Sequence, residues 1–443
     1  MTADPIPTAA PASSSRPYRA PTGMRDVLPE QIPAWERLEA TARRLAHGCG
    51  YREIRPALLE ETRLFTRSVG EVTDIVQKEM FTLARGEDSF SLRPEGTAGT
   101  VRAYLEAQYH KQAPFQKLFY IGPMFRYERP QKGRERMFTQ FGVECIGSTD
   151  PRLDAEAIDL AAGFFEALGI PRADGAGGGL EVRVNSMGDG GDRDRYRDAV
   201  RAFLAPTIDQ HCELCRSRFE KNPLRVLDCK NPKCQELNAG APRILDFLSD
   251  ENRAHFDAVR ASLADLGRDS RVDPGIVRGL DYYTRTVFEL HYPKLGARSA
   301  LCGGGRYDHL VRDLGGPDLG AVGFAIGFTS TLIVLEELGL LGAIAAQPAD
   351  VYVAALDASL AREALVLCGE LRRGGVSAVF DAEGRGLKSQ FKQADKGRHP
   401  LVVVLGPDEH ARGAVQLKHM ARGEQREVPR GELVAAARAA LAP

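Results

Sequence analysis

The segment FRYERPQKGRERMFTQFGVE, residues 125–144, gathers the residue types that a small-ligand site needs. Two β-patterned pieces flank a loop holding Pro130 and Gly133, and five basic residues lie within 126–136. Side chains alternate across a strand. Phe138, Gln140, Gly142 and Glu144 therefore share one face, and Met137, Thr139, Phe141, Val143 and Cys145 share the other. The second set is a core face. The first lines up an aromatic ring, an amide and a carboxylate, with a glycine leaving space between the polar groups. Arg126 and Glu128 repeat the mixture on the preceding strand. A solvated sheet face fits poorly, because Phe138 and Tyr120 would lie among its polar groups. The floor of a ligand pocket fits better.

Three shorter segments add to this. In SLRPEGT (91–97), Pro94 and Gly96 form a turn that presents Glu95 at a strand end. In RGLDYYTR (278–285), Tyr282 and Tyr283 are adjacent, so on a strand one enters a pocket while the other packs. In CGGGRYD (302–308), three glycines admit close approach of a ligand to the backbone, and Arg306 follows. A fourth feature is separate. Cys212, Cys215, Cys229 and Cys234 give C-x2-C, a gap of thirteen residues, then C-x4-C. That clustering suits a tetrahedral structural Zn2+ site; the other reading is four reduced thiols in a small helical unit. His211 beside them reads as solvated.

These groups need elements to hold them. Trp35, Leu38, Ala42, Leu45 and Cys49 form one apolar helical stripe. β-patterned sequence follows at 89–93, 117–128 and 137–147, then a helix over 154–168 with Asp154 as its cap. From about 189 to 267 the pattern turns charged and helical, and β-patterned sequence resumes at 278–290 and 320–328, ahead of an apolar helix near 331–341. The charged stretch thus reads as an insertion within one sheet unit. Beyond residue 347, strands at 351–356, 376–380 and 401–406 alternate with helices at 360–373, 387–396 and 431–441. That alternation predicts a small α/β domain with a largely parallel sheet. Lys388, Lys392 and Lys396 recur every four residues on one predicted helix, a stripe suited to phosphate, with Arg385 and Arg398 flanking it.

Composition bounds the rest. The 443 residues carry 59 Lys+Arg against 60 Asp+Glu, so any nucleic-acid site is a local patch. No apolar run of about 18 residues is present, which predicts no membrane span. Residues 1–18 read as a flexible Pro/Ala/Ser tail without a signal-peptide layout. Eight cysteines are too few for a disulfide framework, which points to the cytoplasm.

Taken together and in this order, LRPEGT, the strand–loop–strand at 125–144, RGLDYYT and GGGRYD resemble the bacterial histidyl-tRNA synthetases, which are class II aminoacyl-tRNA synthetases. The 125–144 segment is similar to motif 2 of the class, and GYREIRPALLEETRLF (50–65) to motif 1, which builds a homodimer interface. The resemblance implies an α+β catalytic core on an antiparallel sheet at 19–345, with a helical insertion at about 189–267. It also implies an α/β anticodon-binding domain at 349–443. It implies histidine–tRNA ligase activity with L-histidine, ATP with Mg2+ and tRNA(His) as partners. By the same resemblance Arg126 binds the ATP α-phosphate, Glu128 the adenine edge and Phe138 the adenine face, with Arg306 also on ATP. Glu95, Thr97 and Gln140 surround the α-ammonium of histidine, Glu144 and Tyr283 with Tyr282 read its ring, and Arg278 stabilises charge during attack. Lys132 and Arg134 in the motif 2 loop contact the tRNA acceptor end.

One departure stands out. Motif 3 of the family carries an arginine for the γ-phosphate, where this chain has Ser330, between Thr329 and Thr331. Arg134 is the candidate to replace that cation. The loss also favours a second reading, a non-catalytic histidine-binding paralogue such as the regulatory subunit of ATP phosphoribosyltransferase. RGLDYYT, the basic loop and the C-terminal domain favour the ligase.

Overall fold

The computed structural model describes residues 18–70, 73, 75–130, 133–173, 178–227, 229–276, 280–341 and 348–442. They fall into two compact units, within 1–344 and 345–443. Most of the tail at 1–18 lies outside the described residues, as do Lys132 and Arg278.

The strands of the first unit are β1 (Arg52–Glu53), β2 (Leu59–Glu61), β3 (Phe81–Arg85), β4 (Asp88–Leu92), β5 (Gln116–Phe125), β6 (Met137–Ile146), β7 (Glu181–Ser186), β8 (Ser270–Val272), β9 (Thr284–His291), β10 (Ala300–Arg306) and β11 (Ala321–Gly327). Among the described residues eight of them form one sheet in the order β1-β5-β6-β11-β10-β9-β7-β8. Its outer pairs, β1–β5 and β7–β8, are parallel, and every pair between them is antiparallel. Alternation gives the sheet two unlike faces. Phe119, Phe141, Val143, Phe324 and Ile326 point to a core closed by the helices Ile32–Gly48, Pro151–Ala167 and Phe328–Glu337. The opposite face is polar and carries the site. Helices Gly191–Leu204, Glu213–Lys221, Pro232–Leu237 and Asp250–Asp265 lie between β7 and β8, which pair with each other.

The helix expected to be capped by Asp154 starts earlier. Its cap is Asp150, whose carboxylate accepts the Arg152 N–H at 2.9 Å. Asp154 lies inside the helix, fully buried, because it serves as counter-ion to Arg306.

The second unit holds β12 (Val351–Ala355), β13 (Ala378–Phe380), β14 (Leu401–Leu405), β15 (Ala414–His419) and β16 (Gln425–Pro429), in the order β13-β12-β14-β15-β16. The expected largely parallel sheet is half antiparallel. β12 pairs in parallel with β13 and β14, whereas β15 and β16 add an antiparallel hairpin. This unit has its own core around Val353, Leu367, Leu371, Val403 and Leu417. No helix among the described residues is long and apolar enough to cross a membrane.

Candidate active site

The polar face is built by register. Opposed residues of an antiparallel pair share a face. β6 meets β5 with Tyr120 opposite Gly142 and Gly122 opposite Gln140, and meets β11 with Gly323 opposite Glu144 and Gly327 opposite Gln140. Beyond β11, Gly305 of β10 lies opposite Gly323. A line of small residues thus flanks the two polar ones. At Gly142 a Cβ would sit 2.3 Å from the Tyr120 ring, and at Gly323 it would sit 2.3 Å from a Glu144 oxygen. Glycine at both places lets the carboxylate and the phenol lie flat on the sheet.

Glu144 is the centre of this arrangement, with 1% of its surface exposed. One carboxylate oxygen accepts the Thr97 hydroxyl at 2.8 Å and the Tyr120 hydroxyl at 3.3 Å. The other accepts the Tyr307 hydroxyl. Burial pushes its carboxyl up to about 8, with the nearby Glu95 adding to the rise and the three hydroxyls opposing it. Glu95 is itself buried, and its carboxyl is also raised by burial. Its two oxygens accept the Thr97 and Ala98 N–H groups at 2.6 and 2.9 Å, at the start of the helix Thr97–Glu106. Nearby Gln140 has a buried amide oxygen with no hydrogen-bond partner among the described residues. A buried, unmatched acceptor is costly unless a ligand donor meets it.

Gln140 also lines a cavity of about 400 Å3, together with Arg126, Glu128, Arg134, Phe138, Gly327 and Ser330. The Arg126 guanidinium lies 5.4 Å from the centroid of the Phe138 ring and donates to the Pro94 carbonyl at 2.9 Å. Glu128 is 4.0 Å from Arg126 and 3.4 Å from Arg134. Around Ser330 the groups are hydroxyls and a carboxylate. Thr329 donates to Glu135 at 3.2 Å, and Glu135 pairs with Arg25 at 2.9 Å. Arg126 and Arg134 are the cations lining the cavity among the described residues.

Three expectations are corrected. Arg306 does not reach the ATP cavity. It is fully buried and donates to Asp154, to Asp308 and to the Ser148 and Asp150 carbonyls, which leaves no N–H for a phosphate. The reason is parity: Gly303 and Gly305 face the floor, so Arg306 faces away and Tyr307 returns to it. Tyr307 is the site residue that strand alternation at 302–307 already signalled. Second, Tyr282 and Tyr283 lie in a turn ahead of β9, so they do not point to opposite faces of a strand. Their rings are neighbours, 4.8 Å apart, and Tyr282 also meets the Tyr307 ring at 5.5 Å. Third, His211 is 3% exposed, with its ring nitrogens 3.0 Å from the Thr207 carbonyl and 3.1 Å from Asn238.

In the insertion, the sulfurs of Cys212, Cys215, Cys229 and Cys234 lie within 4.8 Å of one another. In the second unit Lys388, Lys392 and Lys396 are all exposed on the helix Leu387–Lys396, while Gln390 and Ala394 turn inward. Arg385, at the start of that stripe, is paired with Asp381 at 2.9 Å.

Comparison with known proteins gives a class first and a family second. An anticodon binding domain model matches residues 350–439, which marks a protein that handles tRNA. A histidyl-tRNA synthetase model matches residues 23–330. A histidine–tRNA ligase of Anaeromyxobacter dehalogenans is 47% identical over 93% of this chain and 97% of its own length. One of Acaryochloris marina is 43% identical over 93% and 94%. The solved apo structure of S. aureus histidyl-tRNA synthetase is 34% identical, with a TM-score of 0.77 over 95% of this chain and 99% of its own. The chain belongs to the histidyl-tRNA synthetase family.

Proposed function

We infer that the chain activates L-histidine with ATP to histidyl-adenylate, releasing pyrophosphate, and transfers the acyl group to the 3′ end of tRNA(His). The observation that carries the reading is the buried Glu144 beneath three hydroxyls, four residues along β6, on the same face, from Gln140 and the arginine-bearing cavity that Gln140 lines. An imidazole ring offers N–H and nitrogen to such a set, which an amide or an apolar side chain does not reproduce. Thr97, Tyr282 and Tyr283 close the same pocket, and Glu95 and Gln140 supply the acceptors for the α-ammonium.

Adenylation brings a carboxylate oxygen in line with the α-phosphorus; the P–O bond to pyrophosphate breaks as the new one forms. No protein nucleophile is required, so positioning and charge do the work. Arg126 is assigned to the α-phosphate, Glu128 and Phe138 to adenine, and Arg278 to the developing charge. Mg2+ accompanying the ATP substrate would supply positive charge for the pyrophosphate leaving group. Arg134 and the hydroxyl-bearing start of the helix Phe328–Glu337 take the part of the missing motif 3 cation. The lysines at 388, 392 and 396, with Lys132 in the motif 2 loop, are assigned to tRNA phosphates. The cysteine cluster is read as a structural Zn2+ site. Exposed Leu58 and Leu59 in the motif 1 segment support a homodimer, and charging of tRNA supports a cytoplasmic location.

The test is charging of tRNA(His) with labelled histidine by the full chain, with Ser330→Arg run in parallel. The expected result is charging by the native chain and a lower ATP KM in the variant, by about tenfold for one charge-assisted contact. A native chain that binds histidine but neither exchanges pyrophosphate nor charges tRNA would return the reading to the non-catalytic paralogue.

A further inference from the structure

The cysteine cluster does not stand alone in the fold. The Cys212 and Cys229 sulfurs are 3.8 Å apart, and all four are free thiols. A disulfide needs about 2.05 Å. A tetrahedron with Zn–S near 2.3 Å has edges of about 3.8 Å, so the spacing suits four ligands around one ion. The core around them is small: Val200, Leu204 and Val226 are the buried apolar side chains packed with Cys215, Cys229 and Cys234. A cluster of that size holds its shape poorly by apolar burial alone. Metal binding there contributes folding free energy directly.

Two arms leave this core and end at one place. Arg225 immediately precedes the core residue Val226, and its guanidinium meets the Asp281 carboxylate at 3.5 Å. The helix Gly191–Leu204 supplies Val200 and Leu204 to the core, and from its first turn Arg193 donates to the Tyr283 carbonyl at 3.2 Å. Asp281 and Tyr283 bracket Tyr282 in the turn beside the Glu144 pocket.

We propose that a zinc ion held by Cys212, Cys215, Cys229 and Cys234 fixes, through Arg225 and Arg193, the turn that sets Tyr282 and Tyr283 at the histidine pocket. The inference rests on the zinc reading above and gives that ion a task at the amino-acid site. Arg225 and Arg193 are positioning residues. Without the ion the small core loosens, and the tyrosine turn spends less time in the binding-competent place. Apparent histidine affinity falls by that fraction. The ATP cavity is lined by β6, β10, β11, the motif 2 loop, Glu79 and the start of the helix Phe328–Glu337, and among the described residues neither Arg225 nor Arg193 lines it.

The experiment uses the full chain in histidine-dependent ATP–pyrophosphate exchange. Zinc is counted by elemental analysis, then removed with a thiol-reactive mercurial and chelator, followed by reduction. About one zinc per chain is expected. Its removal should raise the histidine KM about tenfold, leave the ATP KM unchanged, and be reversed by zinc alone. Arg225→Ala, with its zinc retained, should show the same rise, with little further rise on zinc removal, and Arg225→Lys should recover much of it. Far-UV circular dichroism separates these effects from unfolding. Less than a tenth of an equivalent of zinc after purification with zinc present would end the metal reading and this inference with it. Bound zinc whose removal leaves the histidine KM unchanged would keep the site and overturn the coupling, as would an equal rise in both KM values.

Discussion

Glu144 and Arg306 sit on opposite faces of one sheet and show what burial does to a charge. Glu144 faces hydroxyls, and its carboxyl is pushed up to about 8. The folded protein therefore holds that proton more tightly than the unfolded chain does. Its contribution to stability is complete below the ordinary glutamate range and is lost as pH rises toward 8. Thermal melts of the unliganded chain should fall in Tm over that window, and Glu144→Gln should flatten the fall. A parallel pH profile in the variant would place the titration elsewhere. Arg306 instead has Asp154 and Asp308 as partners, with burial opposing and the two carboxylates raising its value. Arg306→Met leaves Asp154 buried with His255, at 3.4 Å, as its remaining side-chain partner among the described residues. That should cost about 3–5 kcal/mol of stability, read by denaturant melts, without a selective rise in ATP KM. A raised ATP KM at unchanged stability would make Arg306 a ligand group after all. Alternation in β6 was legible from the sequence, and it put Gln140 and Glu144 on one face correctly. The same parity rule assigns Tyr307 to the floor and Arg306 to the core side.

Elements with strong periodicity matched their sequence signals. The strands β5, β6, β11 and β14 and the helix Leu387–Lys396 lie where alternation and four-residue spacing put them. The hairpin β15–β16 is not legible in the sequence because AVQLKH and QREVP are rich in polar residues and carry little apolar signal. β14 pairs with β15, and β15 in turn with β16, so the sheet rather than the local sequence makes them strands. The tyrosine turn departs from expectation for a related reason: two adjacent aromatics look like strand, yet the chain needs a turn there to enter β9. On the helix Leu387–Lys396 the three lysines face outward, so a triple change to glutamine removes charge without disturbing the core. tRNA binding should weaken, and the slope of log K against log salt should become shallower by about two to three. An unchanged slope would exclude the stripe from the interface.

Across the whole molecule, one sheet holds two chemistries at the two ends of a polar face. Hydroxyls and carboxylates gather around Glu144, and an arginine-bearing cavity opens beyond Gln140. The second unit, with its own core, is the anticodon-binding domain. Order of motifs along the chain made the family legible. Distances between side chains far apart in sequence, such as 97 to 144 or 144 to 307, were not, because only the sheet brings them together. The central claim is that Glu144 selects histidine. It is tested most directly by kcat/KM for each amino acid in ATP–pyrophosphate exchange, comparing the native chain with Glu144→Gln. Exchange should depend on histidine, and the variant should lose about a hundredfold in kcat/KM for histidine, mostly through that substrate. Equal exchange with other amino acids, or a variant indistinguishable from the native chain, would contradict the account.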